Sequence, residues 1–595
     1  MPGIAAIFAP RALPQHADAI RRMLLCMRHH PDSVSGSLVV ESLGLTAGWV
    51  AHAGSQAASD SAAAGRGPVG LLLSGECERR YGLDAIDTWD GTFAGLLIDR
   101  RQHRARLFND RYGIERLYVV EKADETYVAS EAKALLAVLP ELRAFDEAGV
   151  AQFLAFGSTL GCQTLFRGLC LMPGGSEWIR TKTHWTVRRR YFEASSWENL
   201  PALSEGEFQE RLDTLFPALV ARSVAGNDRI GLSLTGGLDT RMIVACLPRL
   251  PGRVFAYTYA AEASDQLLDL RIARRVAEAH AMRHTALRIG DDFTRNFSRH
   301  LDRTAYVTDG LAGVLGAHEL MLSEQARAIA PVRLTGNFGS EILRSMSTFK
   351  RSGAGDALLA PEWRKRVHST VDSQTGRGVH PVTHAAFEEI PWHLAGMPAA
   401  SRSQMTVRAP FMANAMVELA YRAPPSLRLT PRPCQRLIHR HDVALAAMPT
   451  DRGLAWPPGG IAARWRHMWC SVTFKLDYWH KQGLPDRLTP LDGAIGMLGG
   501  GMGALGLHKF LAYRLWFRRE LASYAAEVVS DPSTRRMPFW AHESLRTLAV
   551  DHATGRCNRL SDIHAVLSLS AVQRNLLAAD IYSQPPVREA LGTEI

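Results

Sequence analysis

Within six positions the chain places Thr235, Gly236, Gly237, Asp239 and Thr240, between a strand-like stretch at 230–233 and an apolar run, MIVACL, at 242–247. A strand running into a helix through such a corner is a place for anion chemistry. In an α/β sheet, ligands bind beyond the carboxyl ends of the strands, where helix N-termini offer free N–H groups and a favourable dipole. Adjacent glycines let backbone approach phosphate oxygens without a Cβ in the way. The two threonines add hydroxyl donors. An acid among them makes sense if a divalent cation lies between carboxylate and phosphate, as Mg²⁺ does when it takes one or two carboxylates and completes its shell with substrate phosphates. The lysine of a GxxxxGK[ST] loop is missing, so this is a different phosphate cradle. A tight strand-to-helix turn with an acid near the helix start is the plainer reading of the same residues.

The elements around the corner change character along the chain. The first 190 residues read as short strands bounded by Gly, Asp and Asn, the pattern of packed antiparallel sheets, interrupted by helical pieces at 17–28 and 131–137. The small-residue stretch 54–68 reads as a surface loop or a disordered insertion. A boundary falls near 195–205, where Ser204 and Glu207 have capping-box spacing ahead of Phe208, Leu212, Leu215 and Phe216 at helical intervals. Strands then alternate with helices, which argues for parallel βαβ units. From about 340 onward the pattern is mostly helical.

Composition narrows the classes. The 595 residues are 46% hydrophobic and 22% charged, as in a globular protein. The net charge of +10 comes from 69 basic against 59 acidic residues without one strong basic block, which gives nucleic-acid binding little support. The eight cysteines form no CxxC pair, so zinc and thioredoxin-like motifs find no support, and their irregular spacing fits a reducing compartment. No charged-then-apolar leader opens the chain, so a cytoplasmic location is expected. The glycine-interrupted apolar window 491–507 is short for a membrane span and reads as a loop or close-packed turn.

The loop LTGGLDT at 234–240 resembles the SGGxDS pyrophosphate loop of adenine-nucleotide alpha hydrolases, and the chain around it resembles the asparagine synthetase (glutamine-hydrolysing) family. Segments follow in the family's order: WDGTFAGLLID at 89–99, NDRYGIERLYVV at 109–120, ASEAKALL at 129–136, LTGNFGSEIL at 334–343 against SGDGGDELF, VRAPFMANAMVELAYRAP at 407–424, and TDRGLAWP at 450–457 against RPKxGFxxP. The resemblance implies an Ntn-hydrolase-like antiparallel β sandwich over 1–195, of the class II glutamine amidotransferase kind. It implies an α/β pyrophosphatase-loop domain over 205–460; residues 461–595 lie past the matched segments and read as a mostly helical extension of that domain. It also implies ATP with Mg²⁺, a carboxylate activated as an acyl-adenylate, and an amine that then attacks it. Carried over residue by residue, Leu234, Thr235, Gly236, Gly237, Asp239, Thr240, Thr258, Thr335 and Gly336 would hold the nucleotide. Asp239 would face the metal, and Glu341 and Arg452 would serve catalysis.

The pattern also breaks. The family's glutaminase begins MCGI and uses that cysteine, whereas this chain reads MPGI. The HRGPD segment reads Arg28-His29-His30-Pro31-Asp32, the Arg of RLSI is absent from LTAGWVAH, and NGE reads Ser74-Gly75-Glu76. Nucleophile, substrate clamp and oxyanion donor are all altered, so ammonia from glutamine is not expected; cysteine-less relatives of this kind include β-lactam synthetases and lasso-peptide cyclases. In the second loop Ser340 stands for the metal-holding acid and Asn337 for the first acid, and Asp451 replaces the Lys of RPKxGF with Arg452 beside it.

Expected, then, is an ATP-dependent amide ligase acting on a small-molecule or peptide carboxylate and an amine donor, with no membrane span and compatible with a homodimer. Macrolactam or peptide cyclisation in a natural-product or polysaccharide pathway, and a catalytically dead nucleotide-binding scaffold, are the alternatives. Asp265 and Asp269 read as helix-start acids, His280 and His284 as surface or sheet-edge residues, and RLIHRH at 436–441 as a solvated basic face.

Overall fold

The computed structural model describes residues 2–79, 81–182, 184–261, 265–347, 353–374, 378–457, 459–483 and 505–578. The N-terminal part is two antiparallel sheets face to face. One has the order Ser33–Val40, Leu45–His52, Gly3–Phe8, Glu125–Ala129, Tyr118–Lys122, Cys170–Leu171; the other has the order His184–Arg190, Ser176–Thr181, Arg104–Asn109, Asp90–Asp99, Val69–Glu78. Alternation along Gly3–Phe8 shows why the strand is buried on both sides. Ile4, Ala6 and Phe8 enter the core shared with Leu72, Phe93 and Phe108, while Ala5 and Ile7 face a second core with Ile20, Met23 and Leu24 of the helix Pro14–Met27.

The stretch at 54–68 is not the expected loop. Gln56–Ala63 is a helix, with the Ser55 hydroxyl accepting from the Ala58 N–H at 3.3 Å and Ser61 accepting from Leu73 N at 3.0 Å. Alanine favours helix, and its small side chains let the helix lie close on the strand Val69–Glu78.

The second part is a five-stranded, all-parallel sheet in the order Arg283–Ile289, Val254–Ala261, Ile230–Ser233, Val332–Thr335, Thr406–Arg408. The strand order reverses direction at Ile230–Ser233, so the loops leaving it and leaving the adjacent Val332–Thr335 meet at one crevice. The helix Glu205–Ser223 precedes the sheet and carries the expected capping box at Ser204 and Glu207.

The helices Tyr513–Arg518, Ala522–Ser530, His542–Ala553 and Leu560–Val572 contribute to the same apolar core as Leu24 and Phe153 of the N-terminal part and Leu301 and Leu320 of the α/β part. A buried polar cluster ties the two parts together. Lys133 Nζ lies 2.5 Å from Glu131 and 3.2 Å from Asp309; His29 Nε2 lies 2.9 Å from Glu131, and Asp309 accepts from the Ala132 N–H at 2.7 Å. Most of the apolar window 491–507 lies outside the described residues.

Candidate functional site

The first loop closes on itself. Thr235 and Thr240 share a hydroxyl contact of 3.2 Å, and Thr235 Oγ1 accepts from the Gly237 N–H at 3.3 Å. Gly237 is the N-cap of the helix Leu238–Cys246, and a Cβ there would meet nothing nearer than 3.4 Å. Gly236 is different. Its N–H donates to Asp269 Oδ1 at 2.8 Å, and a Cβ would sit 2.9 Å from that oxygen.

The second loop leaves Val332–Thr335 and enters the short helix Gly339–Arg344 through Phe338, which holds φ 72°. Here glycine is a matter of loop against loop. A Cβ on Gly336 would lie 2.7 Å from Thr240 N, and one on Gly339 would lie 2.7 Å from Asp239 Cγ. The close approach brings Ser340 and Arg344, one helical turn apart, onto one acid: Ser340 Oγ donates to Asp239 Oδ2 at 2.8 Å and Arg344 Nη2 reaches both Asp239 oxygens at 3.1 and 3.2 Å. Burial is the largest influence and works against the Arg344 charge, but the charge and hydrogen bond of Asp239, with Cys434 and Glu341, together outweigh it and the guanidinium pKa is raised.

Between the loops lies a cavity of about 310 Å³. Thr235, Gly237, Asp239, Thr240, Gly336 and Glu341 line it, with Phe338, Leu394 and Met397 as its apolar wall. The expected Leu234, Gly236, Thr258, Thr335 and Arg452 do not line it. The Leu234 N–H donates to Tyr257 O at 2.9 Å, and the Thr258 hydroxyl donates to Leu234 O at 2.7 Å and meets His284 Nε2 at 2.9 Å. Thr335 Oγ1 accepts from the Asn337 N–H at 3.2 Å. Arg452 stacks on Phe474, 3.2 Å from the ring centroid, with Asp451 3.5 Å away.

Two residues gain roles that sequence reasoning did not give them. Asp269 holds the first loop through Gly236 N rather than capping its own helix, Leu268–Ala279. Burial, then the Asp451 charge, pushes its carboxyl up to about 7, with the Gly236 N–H and Arg452 pulling the other way. Arg241 is buried; its guanidinium donates to Leu445 O at 3.3 Å, Pro449 O at 3.2 Å and Met448 O, and so pins the 445–451 segment under the loop. The signal for Asp269 was its place in the first turn after a parallel strand, on the ligand side of the sheet.

A divalent ion finds a poor donor set. Asp239 is already neutralised by Arg344 and accepts from Ser340, Ser340 stands where a second acid would be needed, and no group of three or more His, Cys, Asp or Glu among the described residues could hold a metal. The residues present do not fit Mg²⁺ held on Asp239.

The N-terminal site is closed. Ser74 Oγ donates to Pro2 O at 3.0 Å and lies 3.0 Å from Glu115, which pairs with Arg402 at 3.1 Å. The cavity beside Pro2 measures about 40 Å³, against the 310 Å³ between the loops. Cys26 and Cys77 are buried and their thiols are pushed up to about 12 by that burial, so neither is a ready nucleophile. A cleft of about 450 Å³ lies between the two parts, and its charges are paired across it: Arg408 with Glu76 at 2.7 Å and Arg222 with Asp90 at 2.7 Å.

Two family models match stretches of the chain. The model of a glutamine amidotransferase domain matches residues 73–192, and the model of asparagine synthase matches residues 211–442. A Mycobacterium tuberculosis protein, provisionally assigned as a glutamine-hydrolysing asparagine synthetase, is 25% identical over 279 residues, 45% of this chain and 42% of its own length. Asparagine synthetase (glutamine-hydrolysing) 1 of Bacillus subtilis is 19% identical over 273 residues, 46% of this chain and 42% of its own. The chain thus spans less than half the length of these relatives. Glutamine phosphoribosylpyrophosphate amidotransferase of B. subtilis, a solved structure, aligns with 48% of this chain and 65% of its own at 11% identity and a TM-score of 0.21, too loose a superposition to bear on function. Among the described residues no helix is long and apolar enough to cross a membrane.

Proposed function

The chain belongs to the asparagine synthetase family, whose members are ATP-dependent carbon–nitrogen ligases generally working with Mg²⁺, and we propose that it joins a carboxylate to an amine through an acyl-adenylate. The observation that carries this reading is the interlock of the two glycine loops over one cavity at the switch point of the sheet. A carboxylate oxygen attacks the α-phosphorus and pyrophosphate leaves. The amine nitrogen then attacks the acyl carbon, AMP leaves with the carboxylate oxygen, and one proton is released. The Thr235 and Thr240 hydroxyls, on the cavity lining at the first loop, are the donors where charge on the leaving phosphates grows. Glu341 is the carboxylate on the cavity wall placed to take the amine proton.

The amine comes from free ammonia or from the substrate itself, because the Pro2 cavity is too small and too altered to hydrolyse glutamine. An amine within the substrate makes the product a ring, the cyclase form of the same chemistry. A nucleotide-binding scaffold without turnover is favoured by one observation, the Asp239 carboxylate locked to Arg344. Incubation with ATP, ammonium and a panel of carboxylic acids separates the readings. AMP and pyrophosphate are expected with ammonium and not with glutamine; absence of any ATP binding contradicts both readings.

A further inference from the structure

The helix Ile461–Gln482 is half docked. One side is held: Phe474 stacks with Arg452, His467 Nδ1 lies 2.7 Å from Arg452 O, and buried Asp477 accepts from the N–H groups of Gly506, His508 and Lys509 at 2.9–3.0 Å. The opposite side carries Ile461, Trp465, Met468, Trp469 and Val472, which are 76%, 63%, 48%, 51% and 45% exposed. At helical spacing these five fall within an arc of about 100°, an uninterrupted apolar stripe on the side away from the docked residues. Exposed Arg464 and Lys475 border it on one edge and Arg466 on the other.

Isolated exposed apolar residues need no explanation, but two tryptophans, an isoleucine, a methionine and a valine on one stripe do. None of them lines the loop cavity. We propose that this helix is a docking face for an anionic lipid surface, lying in the headgroup layer with its stripe inward and its cations toward the lipid phosphates. Indole rings suit the interface because one edge is apolar and the N–H is wet. Basic residues bordering an apolar stripe complement anionic headgroups, and the chain as a whole carries +10.

The test is co-sedimentation of the full chain with vesicles of phosphatidylcholine alone and of phosphatidylcholine with phosphatidylglycerol, with tryptophan emission read in parallel. The protein should partition onto the anionic vesicles at least about tenfold better than onto the neutral ones, with a blue shift of emission and release by high salt. The pair Trp465→Ser with Trp469→Ser, and separately Arg464→Glu with Lys475→Glu, should each lose that partition. Both pairs replace exposed residues on the undocked side, so their far-UV circular dichroism and Tm should match the parent's. No partition onto anionic vesicles, or equal partition by the variants, overturns the proposal. So does light scattering that finds a dimer in the parent and a monomer in the tryptophan variant, which would make a second copy the occupant.

Discussion

Arg344 holds Asp239 across the gap between two loops that are 105 residues apart in the chain, Nη2 to Oδ2 at 3.1 Å, with Ser340 donating to the same oxygen at 2.8 Å. A guanidinium thus supplies the positive charge that a metal would bring to this acid, and it is always ionised at working pH. Replacing Arg344 with Met should cost about 1–3 kcal/mol in urea unfolding, since a largely buried carboxylate loses its charged partner. Replacing Ser340 with Asp and Arg344 with Gly together should create a site that binds Mn²⁺ by electron paramagnetic resonance where the parent binds none. Mn²⁺ bound by the parent at Asp239 contradicts this account.

The glycines are not equivalent. Gly339→Ala sets a Cβ 2.7 Å from Asp239 Cγ, whereas Gly237→Ala meets nothing nearer than 3.4 Å. Gly339→Ala should destabilise by more than about 2 kcal/mol and abolish nucleotide binding, while Gly237→Ala should cost less than about 1 kcal/mol in thermal unfolding. Equal losses would refute the loop interlock.

Asp269 gives the site a pH dependence. Its carboxyl is raised from 3.8 to about 7, so it favours the folded state fully below the unfolded value. That contribution is lost as pH climbs from about 4 through about 7. Asp269→Asn keeps an oxygen for the Gly236 N–H and removes the ionisation, so its stability should be flatter than the parent's across that window and higher than the parent's at pH 8. Urea midpoints measured at intervals of pH decide it; parallel curves for the two proteins reject the assignment.

The buried cluster at the domain boundary is a structural joint. Lys133→Met leaves Glu131 and Asp309 facing each other without their cation in a fully buried setting, and should cost about 3–5 kcal/mol. Chemical unfolding measures it, and a cost under about 1 kcal/mol would show that the two parts are held by apolar packing alone.

Much of this was legible beforehand for physical reasons. Ser204 and Glu207 announce a helix start by local hydrogen bonding alone, and the alternation after it gives the parallel sheet. Thr235 to Thr240 read as a ligand corner because glycine and hydroxyl spacing is local too. What the chain does not display locally stayed hidden. Gln56–Ala63 looks like a loop because Ser and Gly surround its alanines, and its Ser55 cap with packing on Val69–Glu78 makes it helix. Asp269 serves a loop 33 positions away, and Arg344 meets Asp239 only because Gly336 and Gly339 let the loops touch. Such long-range pairings have no period in the sequence to reveal them.

The most direct test of the central claim is exchange of labelled pyrophosphate into ATP in the presence of a carboxylic acid panel. The parent should exchange with at least one acid, and Asp239→Asn, which breaks the joint between the loops, should abolish that exchange. ATP binding with no exchange for any acid, or exchange unchanged by Asp239→Asn, would contradict it.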